Sequence, residues 1–106
     1  MAEIEALPLD ELPDGSMRLI PAGSALTIGL YRCNGELHAI EDRCSHDDGP
    51  LCEGEWDDEA CQVVCPRHGS RFDLRTGTAL SLPAYLPVET YPVRVREDGM
   101  IVIEVE

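Results

Sequence analysis

A chain of 106 residues carrying 21 acidic and 8 basic side chains, for a net charge of −13, is long enough for one compact domain and no more. Such a charge repels nucleic acid and anionic membranes, and no apolar run reaches the roughly 18–20 residues that a membrane span needs. The start, MAEIEALPLDELPDG, is acidic and broken by prolines, without the basic end and apolar stretch of a secretion signal. The expectation is a soluble, cytoplasmic protein.

Along the chain, little reads as helix. Ala2 to Glu11 has acids and leucines at loosely helical spacing, but Pro8 interrupts them. SMRLI reads as a short strand and PAG as a turn. ALTIGLYRC and ELHAIED are apolar runs on either side of Asn34-Gly35, a pair that accepts the positive φ angles of a tight hairpin turn. From Arg43 to Glu59 there is no period, which predicts an ordered loop. ACQVVC returns to strand, and PRHGS is a second loop. RFDLRTGTAL predicts a hairpin turning at Thr76-Gly77, and SLPAYLP a proline-bounded loop. VETYPVRVRE and MIVIEVE form a last hairpin around Asp98-Gly99, with Val93, Val95, Ile101, Ile103 and Val105 alternating with mostly polar neighbours. Short strands at regular spacing predict an all-β antiparallel sandwich or barrel. No boundary divides residues 1–106.

Five cysteines without a secretion signal argue against a disulfide framework and for a reducing compartment. Cys33, Cys52 and Cys61 read as buried thiols. A Cys52–Cys61 bridge is conceivable, but a reducing cell disfavours it. The other two cysteines each stand beside a histidine, in CSH (44–46) and CPRH (65–68). Thiolate and neutral imidazole both ligate zinc and iron, and a pair one or two residues apart reaches one centre from a single tight loop. Two such pairs are hard to reconcile with ordinary buried residues. They leave open a structural Cys2His2 zinc, although zinc fingers group cysteines with cysteines rather than interleaving them. They also leave open an iron–sulfur cluster with mixed ligands.

The stretch CSHDDGPLCEGEWDDEACQVVCPRHGSRFDLRTG closely resembles Rieske-type ferredoxins, and the resemblance runs in outline over nearly the whole chain. It implies the Rieske fold, with two ligand loops in a cluster-binding subdomain of about residues 43–82 and base sheets from the remainder. It also implies one [2Fe–2S] cluster. Cys44 and Cys65 would ligate one iron, and His46 and His68 the other. Gly69, Ser70 and Pro83 would lie around the cluster: Gly69 for close backbone approach, Ser70 as a donor to sulfur, Pro83 in a covering loop. Two ferric ions, two sulfides and two thiolates sum to a neutral core, whereas an all-cysteine core is already anionic. The electron therefore enters more easily; Rieske potentials span roughly −150 to +300 mV against about −400 mV for plant-type ferredoxins.

Neighbouring residues narrow that range. In the respiratory branch of the family a disulfide joins the ligand loops and a tyrosine hydroxyl bonds a cluster sulfur. The matching positions here are Gly49, Arg67 and Phe72. With that bridge and one donor missing, and acids all around, the low part of the range is expected.

His38 reads as a structural strand residue and Trp56 as sheet packing. Residues 41–59 carry nine acids and one base, Arg43, while Arg67, Arg71 and Arg75 follow; Asp48 and Arg67 are candidates for a docking face. No open iron position, nucleotide motif or second domain points to an enzyme. The resemblance implies a monomeric one-electron carrier between a flavoprotein ferredoxin reductase that uses NAD(P)H and a terminal ring-hydroxylating Rieske oxygenase. Service in iron–sulfur assembly or nitrite reduction is an alternative. So is a zinc-stabilised interaction module without redox activity.

Overall fold

The computed structural model describes residues 2–23, 26–45, 49–67 and 69–105. Its strands are β1 (Ala2–Pro8), β2 (Ser16–Pro21), β3 (Thr27–Cys33), β4 (Glu36–Glu41), β5 (Trp56–Asp57), β6 (Gln62–Val64), β7 (Arg71–Asp73), β8 (Thr90–Tyr91), β9 (Val93–Val95) and β10 (Met100–Val105). One 3₁₀ turn, Leu9–Glu11, follows β1. They form three antiparallel sheets, ordered β1-β10-β9, β2-β3-β4-β8 and β5-β6-β7. The all-β reading holds. No helix among the described residues is long and apolar enough to cross a membrane.

The four-stranded sheet is the middle layer, and strand alternation explains why. Residues paired across antiparallel strands share a face. Ile28, Leu30, Leu37 and Ala39 point one way, onto Ile101, Ile103 and Val105 of β10 and Ile4 of β1. Tyr31, Cys33 and Ile40 point the other way, toward the third sheet, where they meet Leu51, Val63, Phe72 and Leu74. Each fully buried Ile, Leu or Phe contributes about 1.5–3 kcal/mol from water exclusion alone.

The hairpins predicted at Asn34-Gly35 and Asp98-Gly99 form, and the one at Thr76-Gly77 pairs through a single bridge, Phe72 opposite Ala79. Asn34 and Gly35 both have positive φ (54° and 78°), and the register runs straight through Cys33–Glu36. Gly99 (φ 87°) turns β9 into β10, with Ile101 opposite Val95 and Ile103 opposite Val93.

Several expectations are corrected. The N-terminal segment is a strand: Ala2, Ile4 and Glu5 pair with Val105, Ile103 and Val102, and the register shifts between Glu5 and Pro8, which stands opposite Met100. VETYPVRVRE is two strands. Pro92 separates Tyr91, in the middle sheet, from Val93, in the outer one, and its carbonyl accepts the Glu104 N–H at 2.9 Å. The loop from 43 to 59 contains β5. Cys61 is not in a strand; it has φ +56° in the turn before Gln62. It is bonded to Cys33, with the α-carbons 6.0 Å apart, so neither is a free thiol and the conceivable Cys52–Cys61 pairing does not occur. Twenty-eight residues separate the partners. The contact arises because β3 ends against the turn between β5 and β6, which spacing along the chain does not reveal.

Candidate metal centre

Two loops, residues 44–49 and 65–70, are closed in the same way. The Cys44 N–H donates to the Gly49 carbonyl at 2.8 Å, and the Cys65 N–H donates to the Ser70 carbonyl at 2.8 Å. In the second loop the Gly69 N–H also donates to the Cys65 carbonyl at 3.0 Å, and Gly69 adopts φ +74°, a conformation that favours glycine. Each loop leaves a regular element: the first follows β4, the second links β6 to β7. Cys44 and Cys65 are 0 % and 1 % exposed, and both belong to the buried cluster containing Leu51, Val63 and Phe72. Neither is disulfide-bonded, although two other cysteines in the chain are. Two thiols from two tight loops, directed into one apolar region, suit the thiolate half of a mixed-ligand cluster. His46 and His68 lie outside the described residues, as does Asp48.

A third loop covers this end. Ser70 is fully buried, and its Oγ accepts the Ala84 N–H at 3.1 Å. Having accepted one bond, that hydroxyl still has its proton to donate. Ser45 Oγ donates to the Leu86 carbonyl at 2.5 Å, and the Arg71 N–H donates to Ser81 Oγ at 2.9 Å. The loop from 81 to 87 is therefore pinned to both of these loops. Pro83 is half-buried within it, after a cis peptide bond. The loop turns Leu82 and Tyr85 outward, 79 % and 76 % exposed, beside the half-exposed Leu86. Sequence reading missed this apolar cap, because three large side chains in a stretch interrupted by prolines follow no period that assigns them a face.

Gly49 and Arg67 meet. The Arg67 guanidinium occupies the place a β-carbon at residue 49 would need. The two positions that correspond to bridging cysteines in the respiratory branch are thus in contact here by packing. Phe72 is fully buried and ends in hydrocarbon where that branch has a hydroxyl.

The acids of residues 41–59 are not all surface charge. Asp42 Oδ1 accepts the N–H groups of Leu51 (2.9 Å) and Cys52 (2.6 Å), fixing the exit of the first loop. Asp57 Oδ1 accepts those of Glu59 (3.0 Å) and Ala60 (3.1 Å) and shapes the turn before Cys61. Cys52 is buried, its thiol over Gly29, where any β-carbon would collide with it. Burial pushes that thiol up to about 12, so it stays protonated and inert near neutrality. Trp56 packs edge-on against Tyr31, ring centres 4.9 Å apart, as sheet packing requires.

The fold and the paired loops define an iron–sulfur protein of Rieske type, and the Rieske [2Fe-2S] domain family matches residues 3–92. The chain belongs to that family, whose cofactor is the [2Fe–2S] cluster. It is 44 % identical to the 3-phenylpropionate/cinnamic acid dioxygenase ferredoxin subunit of Photorhabdus laumondii subsp. laumondii, over 99 % of this chain and 96 % of that one. The ferredoxin of carbazole 1,9a-dioxygenase from Nocardioides aromaticivorans IC177 superposes with a TM-score of 0.89 at 29 % identity, covering 100 % of both chains. A ferredoxin solved as a complex of reduced oxygenase and oxidised ferredoxin in carbazole 1,9a-dioxygenase superposes with a TM-score of 0.86 at 27 % identity, covering 98 % of this chain and 97 % of that one.

Proposed function

We propose that this protein is a cytoplasmic one-electron carrier that takes electrons from a flavoprotein ferredoxin reductase and delivers them to a terminal aromatic-ring dioxygenase. It is a carrier and not itself a catalyst. Residues 1–106 act as one domain, with the cluster-binding part at about 43–82. Cys44 and Cys65 hold one iron and His46 and His68 the other. The cluster supplies reversible one-electron chemistry. The observation that carries the ligand assignment is the matched pair of loops, each closed by its own cysteine N–H, with both thiols buried in one apolar cluster.

The remaining work falls to the chain. Gly69 lets the second loop turn closely around the centre. Ser70 holds the covering loop through Ala84 and has a proton to donate toward a cluster sulfur, while Phe72 offers none. That balance favours a low potential within the Rieske range. Pro83 stiffens the cover. Leu82, Tyr85 and Leu86 give a partner a small apolar contact beside an acidic surface, which suits a brief encounter with a basic-rimmed oxygenase or reductase.

The test is anaerobic stopped-flow reduction and reoxidation with a flavoprotein reductase and a terminal dioxygenase. Wild type should turn over. Tyr85→Asp should slow transfer at least tenfold while leaving the visible spectrum and midpoint potential unchanged. Transfer unaffected by Tyr85→Asp and by salt would rule out docking at the covering loop.

A further inference from the structure

The Cys33–Cys61 disulfide has a histidine beside it. Register places Tyr31 opposite His38 and Cys33 opposite Glu36, so Cys33 and His38 are diagonal neighbours on the face toward the third sheet. One ring nitrogen of His38 and the two sulfurs all lie within 4.8 Å of one another. Both sulfurs belong to fully buried residues, and His38 Nε2 is buried without a hydrogen-bond partner. Its nearest charged group, Glu36 Oε1, is 3.7 Å away, beyond hydrogen-bond reach. Burial lowers the His38 pKa, and Arg75 lowers it further against the pull of Glu36 and Asp73, so the imidazole is neutral at pH 7. A buried imidazole nitrogen without a hydrogen-bond partner is costly unless something occupies it.

We propose that Cys33, Cys61 and His38 form a redox-gated site for a thiophilic divalent cation, with zinc as its natural occupant. Two thiol equivalents (2 RSH) reduce the disulfide to two cysteine thiols and are themselves oxidised to RSSR. Zinc then binds both sulfurs as thiolates, releasing two protons, and takes the imidazole nitrogen as its third ligand. Zinc–sulfur bonds of about 2.3 Å and a zinc–nitrogen bond of about 2.0 Å need ligand atoms some 3.5–3.8 Å apart. Opening the S–S bond supplies that spread from a triad already within 4.8 Å. Asn34 Nδ2 lies 3.6 Å from Cys61 Sγ and so stabilises thiolate charge there. Glu36, exposed and next to His38, can close the fourth position, which is otherwise taken by water. A groove of about 440 Å³ lined by His38, Leu74 and Arg75 gives the cation a way in. The junction between the middle and third sheets would then be cross-linked in both redox states, by a disulfide or by a metal. This inference is independent of the electron-transfer reading.

The experiment uses holo-protein with its cluster intact, oxidised or treated with a phosphine reductant, then given zinc chloride and desalted. Metal analysis should find one zinc per chain in the reduced protein and none in the oxidised protein, with iron unchanged. The zinc absorption edge should fit two sulfurs and at least one nitrogen, and two protons should be released per zinc. His38→Gln should bind at least tenfold more weakly, and Cys33→Ser should not bind. Three results would overturn the proposal: no zinc in the reduced protein, uptake matched by iron loss, or uptake unchanged in His38→Gln.

Discussion

The two ends of this molecule are built on different principles. At one end, β2, β3, β4 and β10 run six or seven residues each and interlock through alternating apolar faces. At the other, β5, β6 and β7 have two or three residues each, too few to be stable as an isolated sheet. What holds that end is a set of cross-links: the Cys33–Cys61 bond, Asp42 on the exit of the first loop, Ser45 and Ser70 on the covering loop, and the cluster itself. Both ends bury apolar side chains, but only the second adds specific bonds to short strands. A carrier gains from this, because a small, bond-fixed tip can hold the redox centre in loops while long strands carry the other end.

Removing a proposed ligand should separate the two ends most strongly. Cys65→Ser should abolish the visible absorption and all electron transfer. Hydrogen exchange should then accelerate across residues 56–73, while β3 and β10 remain protected. Equal loss of protection at both ends would show that they are one cooperative unit. Next in size is a deletion at the long-strand end: Ile103→Ala should lower unfolding free energy by about 2–5 kcal/mol in denaturant titration. The cluster spectrum should be unaltered at low denaturant. Cutting the junction comes third. Cys33→Ser, without added zinc, should cost about 2–4 kcal/mol through the loop it no longer closes, and should speed cluster loss on heating.

A finer probe is Phe72→Tyr. A hydroxyl reaching a cluster sulfur should raise the midpoint potential by about 40 mV, the equivalent of about 1 kcal/mol for one electron. A fall would mean that the ring does not face the cluster.

The smallest effects separate the ends by pH. Arg96 and the Met100 N–H hold Asp98 down to about 2, so its contribution to the β9–β10 turn is present above about 4 and lost as pH falls through 2. Cys52 is raised to about 12 from an ordinary 9, so its contribution is complete below 9 and lost as pH rises toward 12. Asp98→Asn should flatten only the acid limb of the melting-temperature profile, and Cys52→Ala only the alkaline limb.

How much could be read from the sequence follows the same division. Asn34-Gly35, Asp98-Gly99 and the alternation from Val93 to Val105 announced the hairpins, because turn chemistry and strand period are local. The paired CSH and CPRH motifs announced the loops for the same reason. The strand at Ala2–Pro8 was not announced, since its partner is β10 at the far end of the chain. Pairing of Cys33 with Cys61, contact of Arg67 with Gly49, and outward exposure of Leu82 and Tyr85 all depend on how the third sheet lies against the middle one. No local pattern encodes that.

The most direct test of the central claim is a potentiometric titration of the purified protein followed by electron-spin resonance. The expected result is two irons per chain, a rhombic signal that appears on one-electron reduction, and a midpoint in the lower part of the Rieske range, below about 0 mV. A colourless protein with one zinc per chain in place of the irons, or a midpoint well above zero, would contradict it.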